Sequence, residues 1–350
     1  MKKLAVILLS LATLTGCYDD YVKDYDYSSV YMAYQCDLRT FVVGEGMEFK
    51  FGAALGGVMN NKRDRQVRFA IVDSLCTCDL APFNGLDEYG QPFGSFTAHN
   101  VMTGASTDAA LSQSYVTEEF KKNPFDLKQL APLPRQFYTL SSADELVIKK
   151  GMHTGTVTVK ADSVAFLSDP NTSFPYYAIG IAIESAEADT VLLSKSYEVI
   201  AVRFENMFFG NWYHGGVTAI VDDVTGETLS SSEYPTRIPG VENTPGIYTL
   251  TTEAYNRVKT NYRGNGAGSL AIVMEDGGLR VESQDDSVVI EDLGSSFNKS
   301  KLLQGRKLFL NFKYSNGDGT STVVTDTLSF RNRIRDGVNE WQDENPEHYK

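Results

Sequence analysis

The fold class is decided by the stretch Lys307-Leu-Phe-Leu-Asn-Phe-Lys-Tyr-Ser315, the tetrapeptide Asn316-Gly-Asp-Gly319 and the stretch Thr320-Ser-Thr-Val-Val-Thr-Asp-Thr-Leu-Ser-Phe330. Its first part alternates apolar and polar side chains from Leu308 to Tyr314, which is the pattern of a half-buried strand. Asn-Gly tolerates positive φ at both centres of a tight turn. The sequence therefore predicts an antiparallel β-hairpin.

The C-terminal half carries further short strand signals separated by turns, at residues 217–221, 247–252, 270–274, 279–282, 288–291 and 322–330. A meander of this kind closes most naturally into a small antiparallel barrel. We therefore predict a lipocalin-like β-barrel over residues 206–350. The glycine-rich run Gly264-Asn-Gly-Ala-Gly268 precedes a strand and is interpreted as a loop.

The N-terminal half has the same character, with strand signals at residues 30–34, 47–51, 66–72, 137–140, 145–148, 154–159, 177–183 and 197–202. Seven or eight short strands favour an immunoglobulin-like β-sandwich over residues 28–205. A long insertion at about 79–135 interrupts it, and residues 107–122 within it are predicted to form a helix that ends at Asn123-Pro124. The predicted fold class is all-β.

The first residues carry a targeting signal. Lys2 and Lys3 precede an apolar run over residues 4–14, which is shorter than the roughly 20 apolar residues that a transmembrane helix needs. These are the proportions of a signal peptide over residues 1–16. The ending Leu14-Thr-Gly-Cys17 resembles the bacterial lipobox, so we expect lipidation of Cys17. An ordinary signal peptide that happens to contain a cysteine is the alternative.

Residues 17–27 are rich in acids and are interpreted as a solvated acidic tether. Acids that follow a lipidated cysteine resemble the signal that sends lipoproteins of gut bacteria to the outer face of the outer membrane. The expected location is therefore the outer membrane, through a lipid anchor and facing the cell exterior. The net charge of −13 disfavours binding of nucleic acid.

The remaining cysteines leave two alternatives open. Cys36 pairs with Cys76 or Cys78 in the oxidising location, or all three are small buried side chains. No histidine lies near them in the sequence, so a zinc site and any other metal site are not expected.

No catalytic motif emerges from the sequence. The four histidines are scattered, and no nucleophile elbow, phosphate loop or dinucleotide fingerprint is found. The stretch Asp336-Gly-Val-Asn-Glu340-Trp-Gln-Asp343-Glu344 superficially resembles the acidic strand motif of chitinase-like glycosidases. Asn339 and Glu340 break that motif, which also requires a (β/α)₈ barrel. We therefore expect a non-enzyme that needs no cofactor.

Two other stretches resemble known domains of gut-bacterial surface lipoproteins. Val30-Tyr-Met-Ala-Tyr34, Arg39-Thr-Phe-Val-Val-Gly-Glu45 and Leu133-Pro-Arg-Gln-Phe-Tyr-Thr-Leu140 are similar to domain of unknown function 1735, which is immunoglobulin-like. Asp326-Thr-Leu-Ser-Phe-Arg-Asn-Arg-Ile-Arg-Asp-Gly-Val-Asn-Glu-Trp341 resembles the end of the lipocalin-like domain of unknown function 4361. The resemblance implies a component of a glycan-utilisation system that captures oligosaccharide or polysaccharide for an outer-membrane importer complex.

A glycan binder stacks the C–H faces of sugars on aromatic rings. The candidate glycan-binding residues are Trp212, Tyr213, Tyr248, Tyr255, Tyr262 and Trp341. Trp212 is alternatively a core residue, and Trp341 a plug held by Arg331, Arg333 or Arg335. A structural or adhesive subunit without a small ligand is the rival function, and a glycoside hydrolase is a third.

Overall fold

A computed structural model of the chain describes residues 27–77, 130–234 and 247–340. Within these ranges most of the secondary structure is strand, with one short α-helix and five short 3-10 helices, which confirms the all-β prediction. The predicted signal peptide, Cys17 and the predicted helix at 107–122 lie outside the described residues. Across the ranges that are described, no helix is long and apolar enough to cross a membrane.

The N-terminal part is a sandwich of two sheets. Its strands are β1 (Ser29–Met32), β2 (Cys36–Val43), β3 (Glu48–Gly56), β4 (Arg65–Ile71), β5 (Ala131–Pro132), β6 (Tyr138–Leu140), β7 (Glu145–Ile148), β8 (Thr154–Ala161), β9 (Tyr177–Ala186), β10 (Thr190–Val191) and β11 (Tyr197–Asn206). One sheet has the order β10-β1-β3-β8-β6 and the other β2-β11-β9-β4-β7, with β5 added beside β9. Strand β5 shows that the end of the predicted insertion belongs to the sandwich.

The sandwich core forms because inward side chains alternate along each strand. In β3, Phe49, Phe51 and Leu55 are buried while their neighbours are more exposed. The Phe51 ring packs edge-on against Phe69 of the facing sheet, with ring centroids 5.3 Å apart. The two sheets therefore share a single core of interdigitated aromatic and aliphatic side chains.

The helix α1 (Ser163–Leu167) lies between β8 and β9 and was not predicted. The Asp162 carboxylate caps it by accepting hydrogen bonds from the backbone N–H groups of Val164 and Ala165, at 3.1 and 2.9 Å. The buried Phe166 side chain packs against Phe41, with ring centroids 5.0 Å apart. A helix this short is too brief for a sequence periodicity to reveal.

The C-terminal part is a single curled sheet with its own core. Its strands are β12 (Gly210–Asp222), β13 (Thr228–Tyr234), β14 (Ile247–Ala254), β15 (Arg257–Arg263), β16 (Gly266–Glu275), β17 (Gly278–Ser283), β18 (Ile290–Asp292), β19 (Ser296–Phe297), β20 (Lys307–Ser315), β21 (Thr320–Arg335) and β22 (Val338–Glu340). The order is β17-β16-β15-β14-β12-β21-β20-β18. The two end strands meet where the Asp292 carboxylate accepts a hydrogen bond from the Val281 N–H at 3.2 Å, so the barrel is nearly closed.

The hairpin predicted over residues 307–330 is present. Strands β20 and β21 pair through to Ser315 and Ser321. Positive φ occurs at Gly317 and Gly319 and not at Asn316, whose N–H bonds the Thr320 carbonyl at 2.9 Å. The predicted turn at residues 316–319 therefore joins the strands, but Asn316 does not have the positive φ that was expected. Gly266 to Gly268, predicted as loop, begin β16 instead.

Buried ion pairs join the sandwich to the barrel. Glu45, in the turn between β2 and β3, forms a bidentate pair with Arg333 of β21 at 2.7 and 2.9 Å. Arg306 contacts the same carboxylate at 2.8 Å and also donates to the Met207 carbonyl oxygen at 2.7 Å. All three side chains are nearly inaccessible to solvent, so we name Glu45, Arg306 and Arg333 the junction triad.

The acidic stretch near the C-terminus has a structural role. Asp336 lies in the turn between β21 and β22 and accepts a hydrogen bond from Thr40 of the sandwich at 2.7 Å. Glu340 pairs with Arg333 at 2.6 Å and with Arg335. These two carboxylates are thus engaged in holding the barrel's last hairpin in place.

Cys76 is buried, and its Sγ lies 3.3 Å from the Ala178 carbonyl oxygen. The side chain of Cys36 and the whole of Cys78 lie outside the described residues. The pairing of Cys36 with Cys76 or Cys78 therefore stays a prediction.

Candidate functional site

The barrel interior has an apolar layer at the end that faces the sandwich. Alternation along β12 and β21 points Trp212 and Phe330 inward, and their rings pack edge-on with centroids 5.4 Å apart. The indole N–H donates to the Phe208 carbonyl oxygen at 2.9 Å. Trp212 is fully buried, so its prediction as a sugar-stacking surface residue is wrong and the alternative, a core residue, is right.

Farther from the sandwich, the same alternation places polar side chains inside the barrel. His214 follows Trp212 on the inward face of β12, and Asp326 precedes Leu328 on the inward face of β21. His214 Nδ1 and Asp326 Oδ2 lie 3.3 Å apart, and both side chains are almost fully buried. We call the surrounding group of side chains the polar layer; it comprises His214, Thr218, Tyr234, Tyr248, Tyr262, Arg263 and Asp326.

Tyrosine rings surround this histidine. The Tyr248 ring lies edge-on to His214 with centroids 4.6 Å apart, and the Tyr234 ring lies 5.4 Å from it. Burial, followed by the nearby Asp326 carboxylate, raises the pKa of Tyr234 and of Tyr248. Both phenols are protonated at neutral pH, so the Tyr234 hydroxyl can donate a hydrogen bond, whereas that of Tyr248 donates to the Gly264 carbonyl oxygen.

The polar layer contains polar atoms that lack hydrogen-bond partners. Among the described residues, the buried atoms that make no well-aligned hydrogen bond include Asp326 Oδ1, Tyr234 OH, Thr218 Oγ1 and Arg263 Nη1, although Tyr234 lies close enough to Thr218 and Asp326 to interact with both. Each such atom costs about 1–3 kcal/mol when it is left unmatched. Because native proteins keep few of them, this group in one barrel indicates a site that a polar ligand or ordered water completes.

A glycine-containing turn covers the polar layer. The turn joins β15 to β16, and the Gly264 carbonyl oxygen accepts a hydrogen bond from the Tyr248 hydroxyl at 2.9 Å. Gly264 has φ +56, and a Cβ there would lie 3.1 Å from Val324 and 3.3 Å from Thr218 Oγ1. The turn thus rests directly on the inner face of the barrel and fits there because this residue has no side chain.

The structure brings two of the predicted aromatic residues together. Tyr248 is fully buried inside the barrel, and its role in glycan binding stays a prediction. Tyr262 packs against it, with ring centroids 5.2 Å apart, and keeps 38% of its surface exposed. Tyr262 is therefore the predicted residue that offers a ring face beside the polar layer.

The other predicted residues lie elsewhere. Tyr255 is 47% exposed in the turn that precedes β15, where its carbonyl oxygen accepts a hydrogen bond from Asn206 at 2.8 Å. Tyr213 is half-buried on the outer face of β12, with the Arg331 guanidinium 5.7 Å above its ring. Arg333, one of the residues proposed to hold Trp341, lies 5.0 Å from the Phe209 ring. Trp341 itself lies outside the described residues.

The sequence analysis missed His214, Thr218, Tyr234, Arg263 and Asp326. A signal was present for Asp326, because it shares its alternation phase with Val324, Leu328 and Phe330 within a predicted strand. A carboxylate on the buried face of a strand is expensive unless it is paired or functional. His214 likewise lies two residues after Trp212, so in a strand the two side chains point to the same face.

The polar layer offers hydroxyl, carboxylate and guanidinium groups together with aromatic rings. Such a set can bind a ligand that carries both apolar faces and many hydroxyl groups. Over the described ranges, no three histidine, cysteine or acidic side chains are grouped to hold a metal ion.

No family model and no curated protein matches the chain. The fold is similar to a crystal structure of a Bacteroides ovatus protein of unknown function, which is 18% identical, covers 91% of this chain and 99% of that chain, and has a TM-score of 0.56. A Bacteroides ovatus multidomain protein that includes DUF1735 aligns with 90% of this chain and 100% of that chain, at 10% identity and a TM-score of 0.36. The first comparison shows that the fold is shared, and the second is too distant to carry an argument.

Proposed function

We propose that this protein is a surface lipoprotein that binds an oligosaccharide without hydrolysing it, and that the polar layer of the barrel is the binding site. The observation that carries the proposal is the grouping of buried polar atoms without well-aligned hydrogen bonds beside the partly exposed ring of Tyr262. Sugars present hydroxyl groups at their edges and C–H groups on their faces, which matches this combination.

Capture rather than cleavage is supported by the composition of the site. Glycoside hydrolysis generally uses two carboxyl groups held roughly 5–10 Å apart across the bond that breaks. Of the side chains that form the polar layer, only Asp326 carries a carboxylate. Its Oδ2 is engaged with His214, which leaves Oδ1 as an acceptor for a ligand hydroxyl.

The proposed location rests on the N-terminal sequence. A signal peptide that ends at the lipobox-like Leu14-Thr-Gly-Cys17, followed by an acidic tether, supports a lipid anchor in the outer membrane. In that location a captured oligosaccharide would be passed to an importer complex. The similarity to a Bacteroides ovatus fold of unknown function is compatible with this proposal.

The test is a binding screen of the purified protein against polysaccharides and host glycans, by affinity electrophoresis and then calorimetry. We expect Tyr262→Ala to weaken binding at least tenfold, since it removes the exposed ring beside the polar layer. Tyr255→Ala is the matched control, because it removes a similarly exposed tyrosine from the turn that precedes β15, away from Tyr262. A well-folded protein that binds no glycan, or equal losses in the two variants, would contradict the proposal.

One observation favours the rival function of a structural or adhesive subunit. Residues 228–233 of β13 are all exposed, and β13 pairs only with β12 among the described strands. Exposed strand edges recruit partner strands. Light scattering of the purified protein tests this role, since Ser231→Lys would dissociate an oligomer built on the β13 edge and leave a monomer unchanged.

A further inference from the structure

Arg263, at the end of β15, lies at the outer rim of the polar layer with an unpaired guanidinium nitrogen. We infer that the ligand contains an acidic sugar unit whose carboxylate binds Arg263, while a neutral unit occupies the deeper part of the layer near Asp326. This inference rests on the proposed function and names the class of oligosaccharide.

The Arg263 side chain is held in place from two sides. Its guanidinium carbon lies 4.8 Å from the centroid of the Tyr314 ring, within the range of a cation–π contact. On another side a Cβ at Gly268 would lie 2.6 Å from Nε and 3.0 Å from Nη2. The guanidinium therefore occupies space that exists because residue 268 is a glycine. Its third nitrogen, Nη1, is buried and has no hydrogen-bond partner.

Among the described residues, Arg263 has no acidic partner within 4 Å. Nearby arginines of the same sheet do have one, since Arg257 pairs with Glu253 and Arg280 pairs with Glu275, each at 2.6 Å. Arg263 has only a longer-range interaction with Asp285, whose pKa is lowered by hydrogen bonds from Ser287 and to a smaller extent by the charge of Arg263. In a chain with 45 acidic and 32 basic residues, carboxylates for an internal pair are plentiful.

An arginine donor that is buried and unpaired is best satisfied by a charged acceptor. Hydrogen bonds between a guanidinium and a carboxylate are roughly twice as strong as neutral ones. A neutral hydroxyl group would fill the Nη1 site but leave the charge uncompensated. A carboxylate from outside the chain satisfies both requirements, which is why we assign an acidic ligand unit to this position.

The positions of the two charged side chains favour one orientation of the ligand. Arg263 contacts Tyr314, which pairs with Thr322 of β21, whereas Asp326 lies four residues farther along that strand. At about 3.4 Å per residue these two backbone positions on β21 are roughly 14 Å apart. Because Asp326 repels a ligand carboxylate, the acidic unit belongs at the Arg263 rim and a neutral unit at the inner end.

The experiment compares matched pairs of glycans that differ only in the carboxylate. Oligogalacturonate and its methyl ester form one pair, and hyaluronan and alginate oligosaccharides with their carboxyl-reduced forms make two more. Affinity is measured by calorimetry on the purified full-length protein. We expect the acidic member of at least one pair to bind at least tenfold more tightly than its neutral partner, with an affinity that falls as salt rises.

Four variants locate the effect. Arg263→Gln should remove the preference for the acidic member, and Arg263→Lys should keep part of it. Gly268→Ala should weaken binding of the acidic member, because it displaces Arg263 without deleting its charge. Arg280→Gln is the matched control on the same sheet and should change nothing, since that arginine is exposed and already paired.

The outcomes separate this inference from the proposed function. Binding of neutral glycans with equal affinity, unchanged in Arg263→Gln, would overturn the inference and leave glycan capture standing. A well-folded protein that binds no member of any pair would overturn the inference, whereas only the absence of binding in the wider glycan screen would overturn glycan capture itself. If Arg263→Gln does not fold, the comparison of acidic and neutral members on the unmodified chain decides, and equal affinities refute the inference.

Discussion

Replacing Glu45 by Gln tests whether the junction triad holds the barrel on the sandwich. The Glu45 carboxylate accepts hydrogen bonds from Arg333 at 2.7 and 2.9 Å and from Arg306 at 2.8 Å. Both guanidinium groups are almost completely buried. Glutamine keeps the shape of the side chain but removes the negative charge, so two buried cations lose their shared partner.

The size of the effect follows from the pKa of Glu45. Burial alone would raise this pKa, but the guanidinium groups of Arg333 and Arg306 lower it from 4.5 to about 2. A shift of this size corresponds to roughly 3 kcal/mol of stability, at 1.36 kcal/mol for each pKa unit. Removing one partner of a buried ion pair costs about 3–5 kcal/mol in other proteins, which agrees with this figure.

The effect of Glu45→Gln on the free energy of unfolding should depend on pH. A carboxyl group whose pKa is lowered by folding contributes its full stability above pH 4.5 and loses that contribution as pH falls toward 2. We therefore expect Glu45→Gln to lower the free energy of unfolding by about 3 kcal/mol at pH 7 and to have little effect near pH 2.

Urea unfolding at pH 2, 3, 4.5 and 7 is the assay, followed by tyrosine and tryptophan fluorescence. Glu275→Gln is the control, because Glu275 also pairs with an arginine but is 52% exposed and should contribute less than about 1 kcal/mol. A loss below about 1 kcal/mol at pH 7 for Glu45→Gln, or the same loss at pH 2 and pH 7, would refute the reasoning.

Three further outcomes are expected. Burial raises the pKa of Asp37 to about 6 despite its ion pair with Arg39. The unmodified protein should therefore lose stability as pH rises from 4.5 to 7, because the buried carboxyl group must ionise. Urea unfolding of Asp37→Asn over the same pH range should show a smaller loss. Trp212→Ala should lower the unfolding free energy by about 3–5 kcal/mol, measured in the same way, because a fully buried ring leaves a cavity. Gly264→Ala should lower the free energy of unfolding by about 1–2 kcal/mol, because residue 264 has a positive φ that alanine disfavours. Calorimetry should also show weaker glycan binding by this variant, because the added methyl group presses on Val324 and Thr218.

Alternation of side chains made most of the fold predictable from the sequence. The predicted strand at 145–148 matches β7, and the predicted hairpin near residue 316 joins β20 and β21 as expected. These segments have one buried and one solvated face, so apolar and polar residues alternate cleanly. The signal depends only on local sequence and needs no knowledge of which strands pair.

Strand β2 escaped prediction because its outer face is also buried. Asp37 and Thr40 are almost inaccessible, and Thr40 bonds Asp336 from the barrel's last hairpin. Charged and hydroxyl residues that are buried by a distant part of the chain look like loop residues in a sequence. Strand β13 escaped for the opposite reason, since both of its faces are exposed at residues 228–233 and it has no apolar stripe.

The candidate site shows a related limit. Ranking aromatic residues by type placed Trp212 first, although its phase in β12 points it toward the apolar layer. Once the strands are assigned, the alternation of side chains along each strand identifies His214 and Asp326 as inward-facing. That alternation does not reveal that Arg263 lies against Gly268 and Tyr314. That contact depends on where the β15–β16 turn folds over the barrel, which is set by tertiary packing.

Strand β21 links the end of the barrel where the buried charges are paired to the end that holds the polar layer. At Arg333 the buried charges form ion pairs, although Arg306 Nε there has no hydrogen-bond partner, and the network includes residues of the sandwich. At Asp326, seven residues and about 24 Å away along the strand, several buried polar atoms make no well-aligned hydrogen bond. Evolution tolerates unmatched polar groups where a ligand completes them, and a rigid scaffold keeps such groups in position. A firmly held junction at one end and an incomplete polar layer at the other therefore fit a protein whose barrel is presented for binding by the sandwich beneath it.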